Sequence, residues 1–466
     1  MAQEPTKPDR EVRPEQEETT AAQAAEAEEA SSIAAVLQNR HFLLLWLAQA
    51  LSQTAQNAIW YGLVVVVEES SRSTTQLGLA VLSTIIPPIA LGMAAGVVVD
   101  RVNKKGVLVV TNLLRALTVF GYLLYPVSLV YVYLVNLILV GISQFFAPAE
   151  AATIPALVPK KQLISATSLF NLTFTGSQLA GIVLLGPPLI KLLGVTGLFI
   201  GCAVAFGLAA VLVSPLPSDV RPPQGLKGLE GRRLLKQVWT ELLEGWRFAN
   251  SDRLTRSSMV HLTIASGLIL MMSMLVPRFV VSVLQIAAND AAYIFAPAGV
   301  GVVLGTLFLS RLSARFRKTS LVSFGLLLTG GSLIVLAALS RLGDVLGKAL
   351  LLALGAASMP GGVGLIPWVM IVVTATGFAY SLVSVPSQTI IMEQAPVESR
   401  GRIFAAQMTL ANVAAVLPLV FLGGLADLFG VSLAIALIGA GVCYAGVRNV
   451  RRWQEACVSQ VQPGSS

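Results

Sequence analysis

Long apolar runs broken by short polar stretches dominate the chain from Phe42 to Asn449. A membrane-crossing helix needs about 20 largely apolar residues. Twelve runs meet that length: 42–67, 76–99, 107–126, 129–148, 163–190, 195–214, 257–285, 291–312, 319–339, 362–391, 403–426 and 430–449. A further stretch, 344–361, is apolar but short and glycine-rich, and reads as part of a loop or as an interfacial helix. The longest polar interval, 215–254, divides the runs into two sets of six. The pattern therefore predicts an all-α integral membrane protein of twelve transmembrane helices in two six-helix bundles, 40–214 and 255–450. The bundles are joined by a central loop, 215–254, and flanked by tails at 1–39 and 451–466.

Composition agrees with that placement. Of 466 residues 55% are hydrophobic and only 12% charged, about half the charge of a soluble domain, and the mean hydropathy is +0.76. The tail 1–39 holds nine acidic residues against three basic ones and little apolar surface, so it is expected to be disordered or transiently helical. It lacks the basic start and early apolar run of a signal peptide. Basic residues gather in alternate loops: Arg101, Lys104 and Lys105; Lys160 and Lys161; eight between Arg221 and Arg256; Arg311, Arg315, Arg317 and Lys318; Arg400 and Arg402; Arg448, Arg451 and Arg452. The other loops hold Arg72, Lys191, Arg341 and Lys348. By the positive-inside rule both termini and the central loop are cytoplasmic, in a multi-pass protein of the plasma (inner) membrane. Basic clusters spaced between apolar runs suit a membrane face and argue against nucleic-acid binding.

The remaining chemistry is sparse. Cys202, Cys443 and Cys457 form no C-x-x-C pair, His41 and His261 are far apart, and Gly347-Lys348 lacks the flanks of a phosphate-binding loop. No metal, cofactor or enzymatic activity is expected, and ATP is not expected to power this chain. In the central loop, Leu235, Trp239, Leu242 and Trp246 recur at helical spacing, predicting an amphipathic helix on the membrane surface.

Polar residues inside the spans fall on helical faces: Gln49, Gln53 and Gln56, followed by Asn57, in span 1; Asn171, Thr175 and Gln178 in span 5; Ser381, Ser384 and Gln388 in span 10. Such residues either line a substrate cavity or hold helices together by hydrogen bonds. Arg115 lies about 13 Å into span 3, where a charge costs at least about 2.5 kcal/mol. It is either a structural group, bound to helix carbonyls or to Glu150, or part of a substrate or gating site. Arg278 is expected to snorkel and His261 to be packed. The carboxylates Glu68, Glu69, Glu150, Asp290, Glu393 and Asp427 all fall at or near span ends, so no coupling acid can be identified.

The two halves look like repeats. Span 4 leaves through FFAPAEAATIPALVPKKQL and span 10 through VPSQTIIMEQAPVESRGRI, a pairing that fits an alternating-access design. Between spans 2 and 3 stands GVVVDRVNKK, with Gly96, Asp100, Arg101, Lys104 and Lys105. It resembles the G-x-x-x-D-R-x-x-[RK]-[RK] signature of the major facilitator superfamily, while SRLSARFRK in the second half has Ala314 where an acid would align. With WLAQALSQ, EGWRF and the two span-exit segments, the resemblance covers roughly 38–450 and is similar to the twelve-span drug-efflux branch that includes macrolide-efflux transporters. Gly181, Gly186 and Pro187 resemble that family's span 5 antiporter motif at altered spacing. The resemblance implies a major facilitator fold and a secondary transporter that exports small amphipathic compounds by alternating access, with Asp100 latching the cytoplasmic side in the outward-open state. Where many members of this branch have an acid in span 1, this chain has Gln56 and Asn57. A monomer in the bilayer carrying a neutral or anionic amphipathic substrate is expected, the anion on account of Arg115 and Arg278. The alternative is a non-transporting scaffold or assembly factor that keeps the fold.

Overall fold

The structure, a computed structural model, describes residues 33–124, 128–218, 253–354, 365–395 and 400–461, with Thr240, Leu243, Arg247 and Phe248. The acidic tail before residue 33, most of the predicted amphipathic helix at 235–246 and residues 355–361 of the short apolar stretch lie outside the described residues.

After a short helix, Ile33–Gln38, the long helices follow in order. In the first half they are α1 (Arg40–Ser71), α2 (Thr74–Arg101), α3 (Lys104–Phe120), α4 (Leu129–Leu157), α5 (Leu163–Leu179) and α6 (residues 195–213). In the second they are α7 (Arg253–Phe279), α8 (Pro297–Arg315), α9 (Lys318–Leu354), α10 (Ile366–Gln394), α11 (Arg400–Phe429) and α12 (Val431–Val461). Side-chain caps set several starts. Asn39 accepts from the backbone N–H groups of His41 and Phe42, Ser73 from Gln76, and Asn103 from Gly106. The helix begins at residue 40, where the polar tail was expected to give way to the first span.

Ten stretches among the described residues are long and apolar enough to cross a membrane. One of these, Ser165–Val213, has 49 residues, about 73 Å if straight against a hydrocarbon core of about 30 Å. It folds back at Gly194, whose φ of 71° is a conformation that glycine adopts without strain. That turn, together with the polar α1, makes the architecture consistent with twelve spans. Residues 344–354 continue α9 as one helix and do not form a separate interfacial one.

An even number of helices brings both chain ends to one side, called here the terminal end. Within the first half α1 packs on α5 and α6, α3 on α4 and α6, and α2 on α4. Within the second, α9 packs on α10 and α12, α8 on α10, and α7 on α10 and α11. Between the halves the main seam is α2 against α11 and α7. The cores report an asymmetry. Through the middle and far end one apolar cluster unites both halves, with Leu63, Leu77, Val81 and Phe199 joined to Met274, Phe279, Leu419 and Ala426. At the terminal end each half closes its own cluster, around Phe42, Leu108, Phe146 and Phe170 in the first and Met259, Leu262, Ile391 and Ile403 in the second. The bundles are thus fused far from the termini and separate near them, which leaves a cleft between them at the terminal end.

Candidate functional site

Helix α1 carries the polar stripe predicted for it, and its residues divide by depth. Gln53, Gln56 and Asn57 are half-buried, and Asn57 Nδ2 donates to the Gln53 carbonyl (2.8 Å). Behind them lies a cluster enclosed by the first bundle. Ser52 Oγ donates to Asn112 Oδ1 (3.0 Å), and Ser143 Oγ donates to Gln56 Oε1 (3.2 Å). Arg115 Nη2 donates to the Ser143 carbonyl (3.5 Å), and the guanidinium lies over the rings of Phe146 and Phe206 at 4.4 and 5.5 Å from their centroids. Pro148 lacks the N–H that would bond the neighbouring Gln144 carbonyl, so this stretch of α4 is where a side chain can reach the helix ladder.

Arg115 is only 4% exposed. Its partners are a mid-helix carbonyl and two aromatic faces, so of the two sequence readings the geometry matches the structural one. Glu150 is the surprise. It sits beyond the apolar run of span 4, yet α4 continues to Leu157 and buries it to 7% exposure. The Gln56–Ser143 bond fixes the level of α1 against antiparallel α4, and seven residues toward the terminal end from each lie Gln49 and Glu150, about 10 Å deeper. Gln49 Oε1, Glu150 Oε1 and Arg115 Nε are all buried without a protein hydrogen-bond partner. Orphaned buried polar atoms are rare in folded proteins, and three within one cluster mark it as more than packing.

Helix α5 has two exposed strips, one apolar (Leu172, Leu179) and one polar (Asn171, Thr175, Gln178). Hydrocarbon suits the first and an aqueous cleft the second. On α10, Gln388 is half-buried, whereas Ser381 and Ser384 are buried. Ser381 occupies the place where Gly305 of α8 makes its close approach, so there the polar residues serve helix packing. In the loop between α2 and α3, Asp100 is exposed, Arg101, Lys104 and Lys105 are partly so, and Gly96 has open space where a side chain would project. In span 5 the glycine motif is used for close packing. A π-helical turn, Ala180–Leu185, presses Gly181 against the backbone of Thr54 and Ala58, and Gly186 lies against Tyr61.

Cross-half polar ties cluster at the far end. Asp427, at the end of α11, caps the start of α2: it accepts from the backbone N–H groups of Thr74 (2.6 Å) and Thr75 (3.0 Å) and from the hydroxyls of Ser73 (2.7 Å) and Thr75 (2.6 Å). Arg278 Nη1 pairs with Glu68 Oε1 at 3.2 Å, with Glu68 only 1% exposed. Arg278 thus has a specific partner in the other half and does not simply snorkel. Lys191 pairs with Asp290 (2.5 Å), and Tyr61 Oη donates to the Asn289 carbonyl (2.6 Å). His261 is buried, as expected.

Comparison with known proteins gives this geometry a context. The family model described as Major Facilitator Superfamily matches residues 45–347. An uncharacterised MFS-type transporter of Bacillus subtilis, YfiS, is 25% identical over 380 residues, which cover 80% of this chain and 84% of that protein. The multidrug efflux pump Tap of Mycolicibacterium fortuitum is 22% identical over 417 residues, 87% of this chain and 94% of the pump. Among solved structures, the nucleoside transporter NupG superposes with a TM-score of 0.63 at 14% identity, covering 89% of this chain and 99% of NupG. A peptide transporter, POT, in complex with sulfate superposes at 0.67 and 13% identity, covering 90% and 95%. At such identities the superpositions speak for the fold alone.

Proposed function

This chain belongs to the major facilitator superfamily, and from that premise we propose that it is a secondary transporter exporting small amphipathic molecules by alternating access, seen here open toward the cytoplasm. The observation that carries this reading is the contrast between the ends: one shared core with cross-half ties at the far end, two separate cores at the terminal end. The basic loops assign the terminal end to the cytoplasm. Transport by rocking two halves about a midplane site needs this arrangement in one of its states. In it, the exposed Asp100 and the open space at Gly96 are what a disengaged cytoplasmic latch looks like. The resemblance to the pump Tap supports efflux as the direction.

The substrate expectation narrows. Both intramembrane arginines are occupied, Arg115 by Ser143 and two aromatic rings and Arg278 by Glu68. What faces the cleft is amide and hydroxyl: Gln53, Gln56, Asn57, Asn171, Thr175 and Gln178. An uncharged amphipathic molecule suits such a lining, because a bare cation or anion would be desolvated without a counter-charge. Glu150 is the titratable group of the inner cluster, and we assign it to the coupling ion: a proton taken there neutralises a carboxylate that otherwise lacks a contact partner.

Purified protein in liposomes, offered matched cationic, neutral and anionic amphiphiles under an imposed proton gradient, tests the whole reading. Uptake of the neutral compound that responds to the gradient is expected. No flux of any compound would return the chain to the scaffold reading, and flux of the cation alone would overturn the charge assignment.

A further inference from the structure

The cleft is not the largest apolar recess in the molecule. On the outer flank of the first half, between α2, α3 and α4, lies a groove of about 770 Å³ walled by Leu91, Val107, Val110, Ile138, Gly141 and Phe145, a size typical of small-molecule pockets (~300–1,000 Å³). It is open sideways, and Val110, Leu114 and Ile138 on its walls are among the exposed large hydrophobic residues. Along α3 it runs from Asn103 to Leu114, about 16 Å and so about half of the ~30 Å hydrocarbon thickness. The groove thus begins at the terminal-end loop and stops near the membrane midplane, which is the depth of one leaflet.

Its mouth has the opposite chemistry. Val102, Asn103 and Gly106 form the entrance, and between and beside them stand Arg101, Lys104 and Lys105, three partly exposed cations against one carboxylate, Asp100. The same turn is the N-terminus of α3, a 17-residue helix whose first N–H groups point toward the loop. We propose that this groove is a binding site for one anionic phospholipid, its acyl chain lying along α3 and its phosphate-bearing headgroup held by Arg101, Lys104 and Lys105. A second copy of this chain is disfavoured as occupant, because pairing the same face would set the two basic mouths against each other. An uncharged or zwitterionic lipid would fill the groove equally well but leave the excess positive charge at the entrance unmatched. The residues that hold the headgroup are those of the latch loop, so occupancy ties that loop to the lipid composition of its leaflet.

Native mass spectrometry of the full-length protein in detergent, incubated with phosphatidylglycerol or phosphatidylcholine of identical acyl chains, tests this directly. Wild type is expected to retain one phosphatidylglycerol in preference to phosphatidylcholine by about tenfold. The triple change Arg101→Gln, Lys104→Gln, Lys105→Gln should bring the preference close to one. Val110→Trp, at an exposed wall position outside the core, should reduce retention of both lipids while leaving the thermal midpoint unchanged, which separates loss of the groove from loss of the fold. Soluble glycerol phosphate should not compete, since it offers no chain to the groove. Equal retention of the two lipids by wild type, unchanged retention in Val110→Trp, or a lipid-independent dimer that Val110→Trp dissociates would each overturn the proposal.

Discussion

Arg115 and Glu150 show how far single residues could be read in advance. An arginine deep in an apolar run announces itself in any sequence, but its partners do not, because Phe206 stands 91 positions away and meets it only after folding. Its place between two phenyl rings argues for a structural part, and buried charges held in this way can often be exchanged for an apolar chain of similar length without loss. Arg115→Met is therefore expected to keep the thermal midpoint and the transport of neutral substrate, whereas Arg115→Ala, which leaves a void beside Phe146, should cost about 2–4 kcal/mol in detergent unfolding. Glu150 was misplaced at a span end because hydropathy falls after Pro148, while the backbone remains helical for another nine residues. For Glu150→Gln the expected result is flux that no longer responds to a proton gradient, with counterflow of unlabelled against labelled substrate preserved. Gradient-driven accumulation by this variant at the wild-type level would remove Glu150 from coupling.

Among the elements, the signals that were legible are local ones. Asn39, Ser73 and Asn103 cap helices where the apolar runs begin, and the return at Gly194 falls in the gap between the fifth and sixth runs. The length of α9 was not legible, since its continuation past the run at 339 is neither strongly apolar nor broken by proline. Nor was the use of the span 5 glycines, because the sequence does not say which neighbour they approach. The structure does: a methyl group on Gly181 would meet the Thr54 carbonyl and the Ala58 backbone, neither of which can move aside, while at Gly176 the same methyl would enter open space. Gly181→Ala is expected to destabilise by about 1–3 kcal/mol through overpacking of α5 on α1, and Gly176→Ala to leave the unfolding midpoint where it is or raise it slightly. Thermal unfolding of the two variants side by side decides it.

At the scale of the whole molecule, the two-bundle plan was legible from the count and symmetry of apolar runs, and which of its states is populated was not. The balance depends on ties such as Glu68 with Arg278, 210 positions apart. Each side has its own acid. Asp427 caps α2 where the halves are closed, and Asp100 stands exposed where they are parted. Asp427→Asn weakens charge-assisted bonds worth about 1–2 kcal/mol in net effect, which converts to a 5- to 30-fold shift in population toward the opposite state. Asp100→Asn should shift the balance the other way, and the two sites are far enough apart for their effects to add, so the double variant should return near wild type. Spin labels at positions 70 and 285, both exposed at the far end, report the distance. Unchanged distance distributions in both single variants would remove the two acids from gating. Sidedness itself is checked by single cysteines at 72 and 161 in a background free of Cys202, Cys443 and Cys457: an impermeant reagent applied outside cells should label the first and spare the second.

The pair of Lys191 with Asp290 is the most exposed of the far-end ties, with side chains 49% and 30% accessible. At physiological ionic strength the Debye length is about 8 Å, and it shrinks to about 3 Å in molar salt, so an open pair of this kind fades as the medium becomes more saline, while the sheltered contacts of Glu68 and Asp427 fade less. Mobile ions reach it from one compartment only. The resting posture of the protein is thus biased by the salinity of the fluid on that side and is indifferent to that of the other, so that vesicles with unequal salt across their wall would hold two differently poised populations according to which way each molecule was inserted.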